Sequence, residues 1–153
     1  MDADRSVGQA RRGGHRRRRT ARRQAIDILY QADLMDRPPG AVLDQWRGAG
    51  RSVPDYTAQL VQGVAERMAR LDRLIGSNSE EWAVYRMPVL DRTILRVACY
   101  ELEVGVPPAV AISEAVHAAN ELSTGDSGRF VNGVLGAIVR RGTVQPSSSE
   151  EEA

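Results

Sequence analysis

The most evident chemistry lies in HRRRRTARR at residues 15–23, where Arg16, Arg17, Arg18, Arg19, Arg22 and Arg23 place six guanidinium groups within eight positions. Like charges this dense repel one another unless a polyanion or counterions are near, and counterion release on binding RNA would favour association. The bland alternative is a solubilising tail. Unpaired bases stack on aromatic rings, and the arm has none. Phe130, next to Arg129 in GDSGRFVNGVLG at residues 125–136, is the best candidate to supply one. Asp126 completes that second group. A helix N-terminus there would offer free amides and a positive dipole to a phosphate, and Arg129 a charged fork. A structural reading covers the same residues: Phe130, Val131, Val134, Leu135 and Ile138 share one helical face, and Asp126 or Ser127 suits the N-cap. Gly133 and Gly136 stand where a helix prefers Ala, at roughly 1 kcal/mol each. That cost predicts close approach by a neighbour or a ligand.

Catalytic constellations are missing. His15, His117 and the single Cys99 have no metal-site spacing such as HExxH or CxxC, and neither GxSxG nor GxxxxGK[ST] occurs. The chain is therefore expected to be no enzyme, with no cofactor and no metal. One cysteine rules out an intramolecular disulfide and points to a reducing, cytoplasmic setting. The apolar stretch after the arm, residues 25–30, is too short for a signal peptide and is broken by Asp27. No run approaches the length of a membrane span.

Charge is divided unevenly along the 153 residues. Nine Arg face Asp2 and Asp4 in residues 1–23, while twelve Arg face eighteen acids in the remainder. A basic arm thus precedes a mildly acidic body. Residues 1–15, nearly without apolar side chains, are expected to be disordered in isolation, as is the acidic tail at 143–153. Between them, residues 16–142 read as one helical domain.

The elements follow from period and punctuation. From about residue 17, Ala21, Ala25, Ile28, Leu29, Ala32 and Met35 recur at threes and fours until Pro38 and Pro39. A short helix fits 41–46. Pro54 opens a helix that aligns Tyr56, Leu60, Val61, Val64, Met68, Leu71 and Ile75. A turn of helix at 82–87 stops at Pro88, and a helix over 89–103 ends at Gly105. Two more follow, one from the prolines at 107 and 108 and one from the 126–130 region. The fold class is all-α, with about six or seven helices.

LDRTILRVACYEL at 90–102, VPPAVAISEAVHAANELS at 106–123 and DSGRFVNGVLG at 126–136, following RRQAIDILY at 22–30, resemble the transcription antitermination factor NusB family. The resemblance runs from about residue 18 to 141 and is looser over 36–88. It implies two small helical bundles packed across one another. It also implies that the arm binds boxA-type RNA, with Arg129, Phe130, Asp126 and Arg96 as further contacts. Tyr30 and Asp91 would face NusE, a small-subunit ribosomal protein that joins the RNA polymerase antitermination complex. On their own, Tyr30 reads as a half-buried aromatic and Asp91 as a first-turn helix acid. Thr20 departs from the Lys or Arg often found there in the family. The competing reading is a homodimeric helical protein-interaction module without specific RNA binding; the chain itself could be monomer or homodimer.

Overall fold

The computed structural model describes residues 2–142, with side chains from residue 13 onward. The expected disorder of residues 143–153 lies outside the described residues. Among the described residues there are seven α-helices, one short 3-10 turn and no strand: α1 (Asp2–Leu34), α2 (Pro39–Gly48), α3 (Asp55–Glu66), α4 (Met68–Ser77), the 3-10 turn (Val84–Arg86), α5 (Val89–Glu103), α6 (Pro108–Leu122) and α7 (Ser127–Arg141). None is long and apolar enough to cross a membrane.

Proline sets where four of these helices start. Pro38, Pro54, Pro88 and Pro107 each precede a first turn with φ between −59° and −50° and an extended ψ. None contributes a side-chain cap, but the carbonyls of Pro54, Pro88 and Pro107 accept the first helical amides at 3.0–3.2 Å. Helix ends use glycine where the chain must turn left-handed: Gly105 after α5 has φ 95°, and Gly142 closes α7 at φ 62°.

Two bundles result. Helices α1, α2 and α3 pack on one another, α6 and α7 pack together on α5, and α4 lies against α5 and α7. α5 joins the two sets by also lying on α1 and α3, so most of it is buried, including Ile94, Leu95 and Cys99. Ile28, Leu60, Leu71 and Leu135 fill the same continuous core.

Three local expectations need correction. First, the helix expected from about residue 17 begins at Asp2. Arg, Ala and Gln are good helix formers, and extending a helix already anchored by packing needs no new nucleus. Second, the single helix expected after Pro54 is two, broken at Arg67 (φ −115°, ψ 15°). The apolar period continues through the break, but α3 packs against α1 and α2 while α4 turns toward α7. Third, neither Asp126 nor Ser127 caps α7 through its side chain. The Ser127 hydroxyl lies inside a buried cluster instead.

The close-packed glycines are also not the expected pair. A Cβ on Gly63 would overlap the Tyr100 ring, and one on Gly128 would overlap the Asn120 carboxamide. Beyond its own helical turn, Gly133 has nothing within 4 Å of where its Cβ would stand, and Gly136 meets only the flexible end of Arg140.

Candidate nucleic-acid interface

α1 presents the arginines on different sides, so they differ sharply in availability. Arg16, Arg17 and Arg18 are exposed. Arg18 lies 4.1 Å above the Tyr56 ring centroid, which gives the arm an aromatic neighbour from α3 that its own sequence lacks. Arg19 is exposed too, yet its Nε and Nη2 donate to both carboxylate oxygens of Glu114 on α6, at 3.0 and 2.9 Å. The hydrogen bond from Arg19 holds the Glu114 carboxyl below its ordinary pKa, against the opposing effect of partial burial. Arg23 reaches Glu121 at 3.1 Å, and Glu121 also has His117 at 3.6 Å.

Arg22 is set apart from the exposed row. Only 8% exposed, it donates through Nε to both oxygens of buried Glu101 at 2.8 Å. Burial works against its charge, but the Glu101 hydrogen bond and carboxylate outweigh that and raise its pKa. The Tyr56 hydroxyl donates to the same carboxylate. Burial first, and then Glu101, push that hydroxyl up to about 12. Thr57 ties α3 to the Ala21 carbonyl at 2.9 Å. This network joins α1, α3 and α5 and holds the Arg22 guanidinium largely inside the packed body.

At the start of α7, Asp126 and Arg129 are exposed, and the Arg129 side chain makes no hydrogen bond or ion pair among the described residues. Phe130 is half-buried against Trp82, with ring centroids 5.2 Å apart and planes at 54°. Asp126, Arg129 and Phe130 therefore stand together at one end of a cleft of about 540 Å³ between the chain after α4 and the exposed side of α7. Arg96 does not join them. Its guanidinium is bidentate to Asp72 at 2.7 and 2.9 Å and lies 3.3 Å from Asp33, which Arg92 also contacts at 2.8 Å. Burial opposes the charge of Asp33, but the bond from Arg92 and the two guanidiniums hold its pKa below the ordinary value. Arg96 is thus a pin between α1, α4 and α5.

Asp91 is 1% exposed, and Ser123 and Ser127 donate to its two oxygens, each at 3.2 Å. The Ser127 hydroxyl also lies 3.1 Å from the Thr124 carbonyl, an alternative acceptor for its one proton, and 2.8 Å from the Ser123 hydroxyl. The carboxylate thus organises the α6–α7 corner from inside, whereas Tyr30 remains half-exposed on α1. Sequence reasoning missed Trp82 and Tyr56, although a large aromatic beside two acids in a polar loop was a visible signal for the first. Among the described residues no group of three or more His, Cys, Asp or Glu side chains is placed to hold a metal ion.

A sequence model described as the NusB family matches residues 19–140. A transcription antitermination protein NusB from Salinispora arenicola is 46% identical over 132 residues, covering 82% of this chain and 97% of that protein. One from Beutenbergia cavernae is 40% identical over 149 residues, covering 89% and 95%. Among solved structures, T. maritima NusB superposes with a TM-score of 0.72 at 28% identity, over 88% of this chain and 96% of that one. A structure of antitermination factors NusB and NusE in complex with double-stranded RNA gives 0.72 at 26% identity, over 82% and 98%. With a family match spanning nearly all of the helical body and relatives this similar over most of their length, the chain belongs to the NusB family.

Proposed function

We propose that this chain is a transcription antitermination factor that binds boxA-type single-stranded RNA together with a NusE-type ribosomal protein, supporting processive transcription of ribosomal RNA operons. It acts as a cytoplasmic adaptor and not as an enzyme. The observation that carries the reading is the division of the arm. Arg16, Arg17 and Arg18 stand exposed on a rigid helix without acidic partners among the described residues, while Arg19, Arg22 and Arg23 are held by acids of α5 and α6. A cationic row on a helix fixed to a packed body meets a phosphate backbone in a limited set of directions, so it contributes register as well as salt-dependent affinity. Arg129 and Phe130 supply a second contact, a charged fork beside an aromatic ring. Tyr30 is the remaining candidate for the protein partner.

The test is fluorescence anisotropy of a boxA-type RNA against a scrambled RNA of equal length, across a salt series, with and without the NusE-type protein. The expected result is a preference for boxA that sharpens when the partner is added. Equal, steeply salt-dependent binding to both RNAs, indifferent to the partner, would reduce the arm to a nonspecific basic segment and overturn the reading.

A further inference from the structure

Gly133 sits in the middle of α7, exposed, with nothing beyond its own helical turn near the place of its missing side chain. Glycine is the poorest helix former after proline, and no close-packed neighbour requires it here. It forms part of the floor of the cleft at the start of α7, with Val134 and Ala137. Phe130 and Arg129 border that floor toward the start of α7, Arg140 and Arg141 toward its end, and residues 78–81 line the cleft from the chain after α4. The frame is fixed at both ends. Arg141 donates to the Ser77 carbonyl at 3.0 Å and to Asn78 Oδ1 at 3.2 Å, clamping the end of α4 to the end of α7. Trp82 backs Phe130, and its own loop is closed by the Ser79 hydroxyl donating to the Trp82 carbonyl at 2.8 Å.

We propose that this cleft is a subsite for one unstacked base of single-stranded RNA, admitted because residue 133 has no side chain. The inference rests on the RNA-binding reading above and deepens it. Charge decides between a base and a phosphate as the occupant. Glu80, Glu81 and Asp126 share the lining with the arginines, so a phosphate inside would meet carboxylates. A base brings an apolar face to Phe130, Val134 and Ala137, and N–H donors on its pairing edge to the carboxylates, which only accept. Its flanking phosphates stay outside, within reach of unpaired Arg129. The volume of about 540 Å³ falls within the range of about 300–1,000 Å³ typical of small-ligand pockets. Guanine, with two kinds of donor on that edge, should be favoured over uracil.

The experiment compares wild type with Gly133→Leu on a set of boxA-type RNAs, each carrying one abasic nucleotide at a different position. Leu fills the floor while improving helix propensity, so thermal unfolding should stay unchanged or move up, which separates blocked binding from misfolding. Wild type should lose about fivefold or more in affinity at one abasic position, as stacking of a single base requires. Gly133→Leu should bind intact RNA more weakly by a similar factor and be indifferent to that abasic position. If Gly133→Leu keeps both the affinity and the abasic profile of wild type, the subsite is wrong while RNA binding stands. If wild type shows no salt-dependent RNA binding, the subsite and the functional reading fall together.

Discussion

Replacing Arg16, Arg17 and Arg18 together by Ala tests the division of the arm most directly. All three are exposed and only Arg18 has a described neighbour, the Tyr56 ring. Losing that cation–π contact costs about 0.5–1 kcal/mol at an exposed site, so the fold should survive with little change in melting temperature. If each guanidinium meets one phosphate, the slope of log affinity against log salt should flatten by about 0.7 per contact on a single strand, or about 2 in all. Over a fourfold rise in salt, the triple variant should then lose about sixteenfold less affinity than wild type. Arg22→Ala makes the contrast. It strips the partner from Glu101, itself 1% exposed, and a carboxylate left buried and unpaired costs roughly 3–5 kcal/mol. Its effect should appear in denaturation, with the salt slope of the remaining folded protein unchanged. Anisotropy titrations over a salt series, paired with circular dichroism melts, read both quantities. An unchanged slope in the triple variant, or a flattened slope with an unchanged melt in Arg22→Ala, would refute the reasoning.

Three further outcomes follow from the same geometry. Glu114→Gln removes the charge that holds Arg19, so the salt slope of RNA binding should steepen by about 0.7; a titration with no change would mean that Arg19 does not reach RNA. Glu114 and Asp33 both have pKa values lowered by arginines in the folded chain, so the unfolded chain binds more protons in acid. Their stabilisation is therefore fully present above the ordinary values of 4.5 and 3.8 and is lost as pH falls through the lowered folded ones; urea midpoints measured from neutral to acid pH should fall less steeply in an Asp33→Asn, Glu114→Gln variant. Gly63→Ala should destabilise by about 1–3 kcal/mol because the buried Tyr100 ring occupies the space, whereas Gly133→Ala, with open space and better propensity, should stabilise by up to about 1 kcal/mol. Chemical denaturation ranks the two, and the reverse order would contradict the packing described here.

How much of the fold was legible depended on whether its causes were local. The helix expected over 89–103 matches α5, Val89–Glu103, because Pro88 opens it and the chain leaves it at Gly105, both signals lying within three residues of its ends. The proline-led starts of α2, α3 and α6 are equally local. The break at Arg67 is not. Apolar residues keep their period across it, and what changes is which helices lie opposite, information carried by α1, α2 and α7 rather than by residues 55–77. The same limit explains the glycines, since Gly63 and Gly128 are tight because of Tyr100 and Asn120. A glycine's cost can be read from sequence, but not which neighbour or ligand accounts for it.

The arginines and acids are a more instructive case, because part of what went unread was available. Arg22 lies three residues before Ala25, four before Ile26 and seven before Leu29, so it falls on the buried stripe of α1. Asp91 stands in the same relation to Ile94, Leu95 and Ala98 on α5. A charged residue on the apolar stripe of a packed helix must find a buried counterpart or be neutralised, and each here has one: Glu101 for Arg22, and the hydroxyls of Ser123 and Ser127 for Asp91. Resemblance to a family proposes which positions contact RNA or protein, and the helical period then sorts them. Residues off the stripe, such as Arg16, Arg17 and Arg129, can meet a ligand directly. Residues on it, such as Arg22 and Asp91, are tied into the frame by buried partners, so substitutions there should change folding stability first.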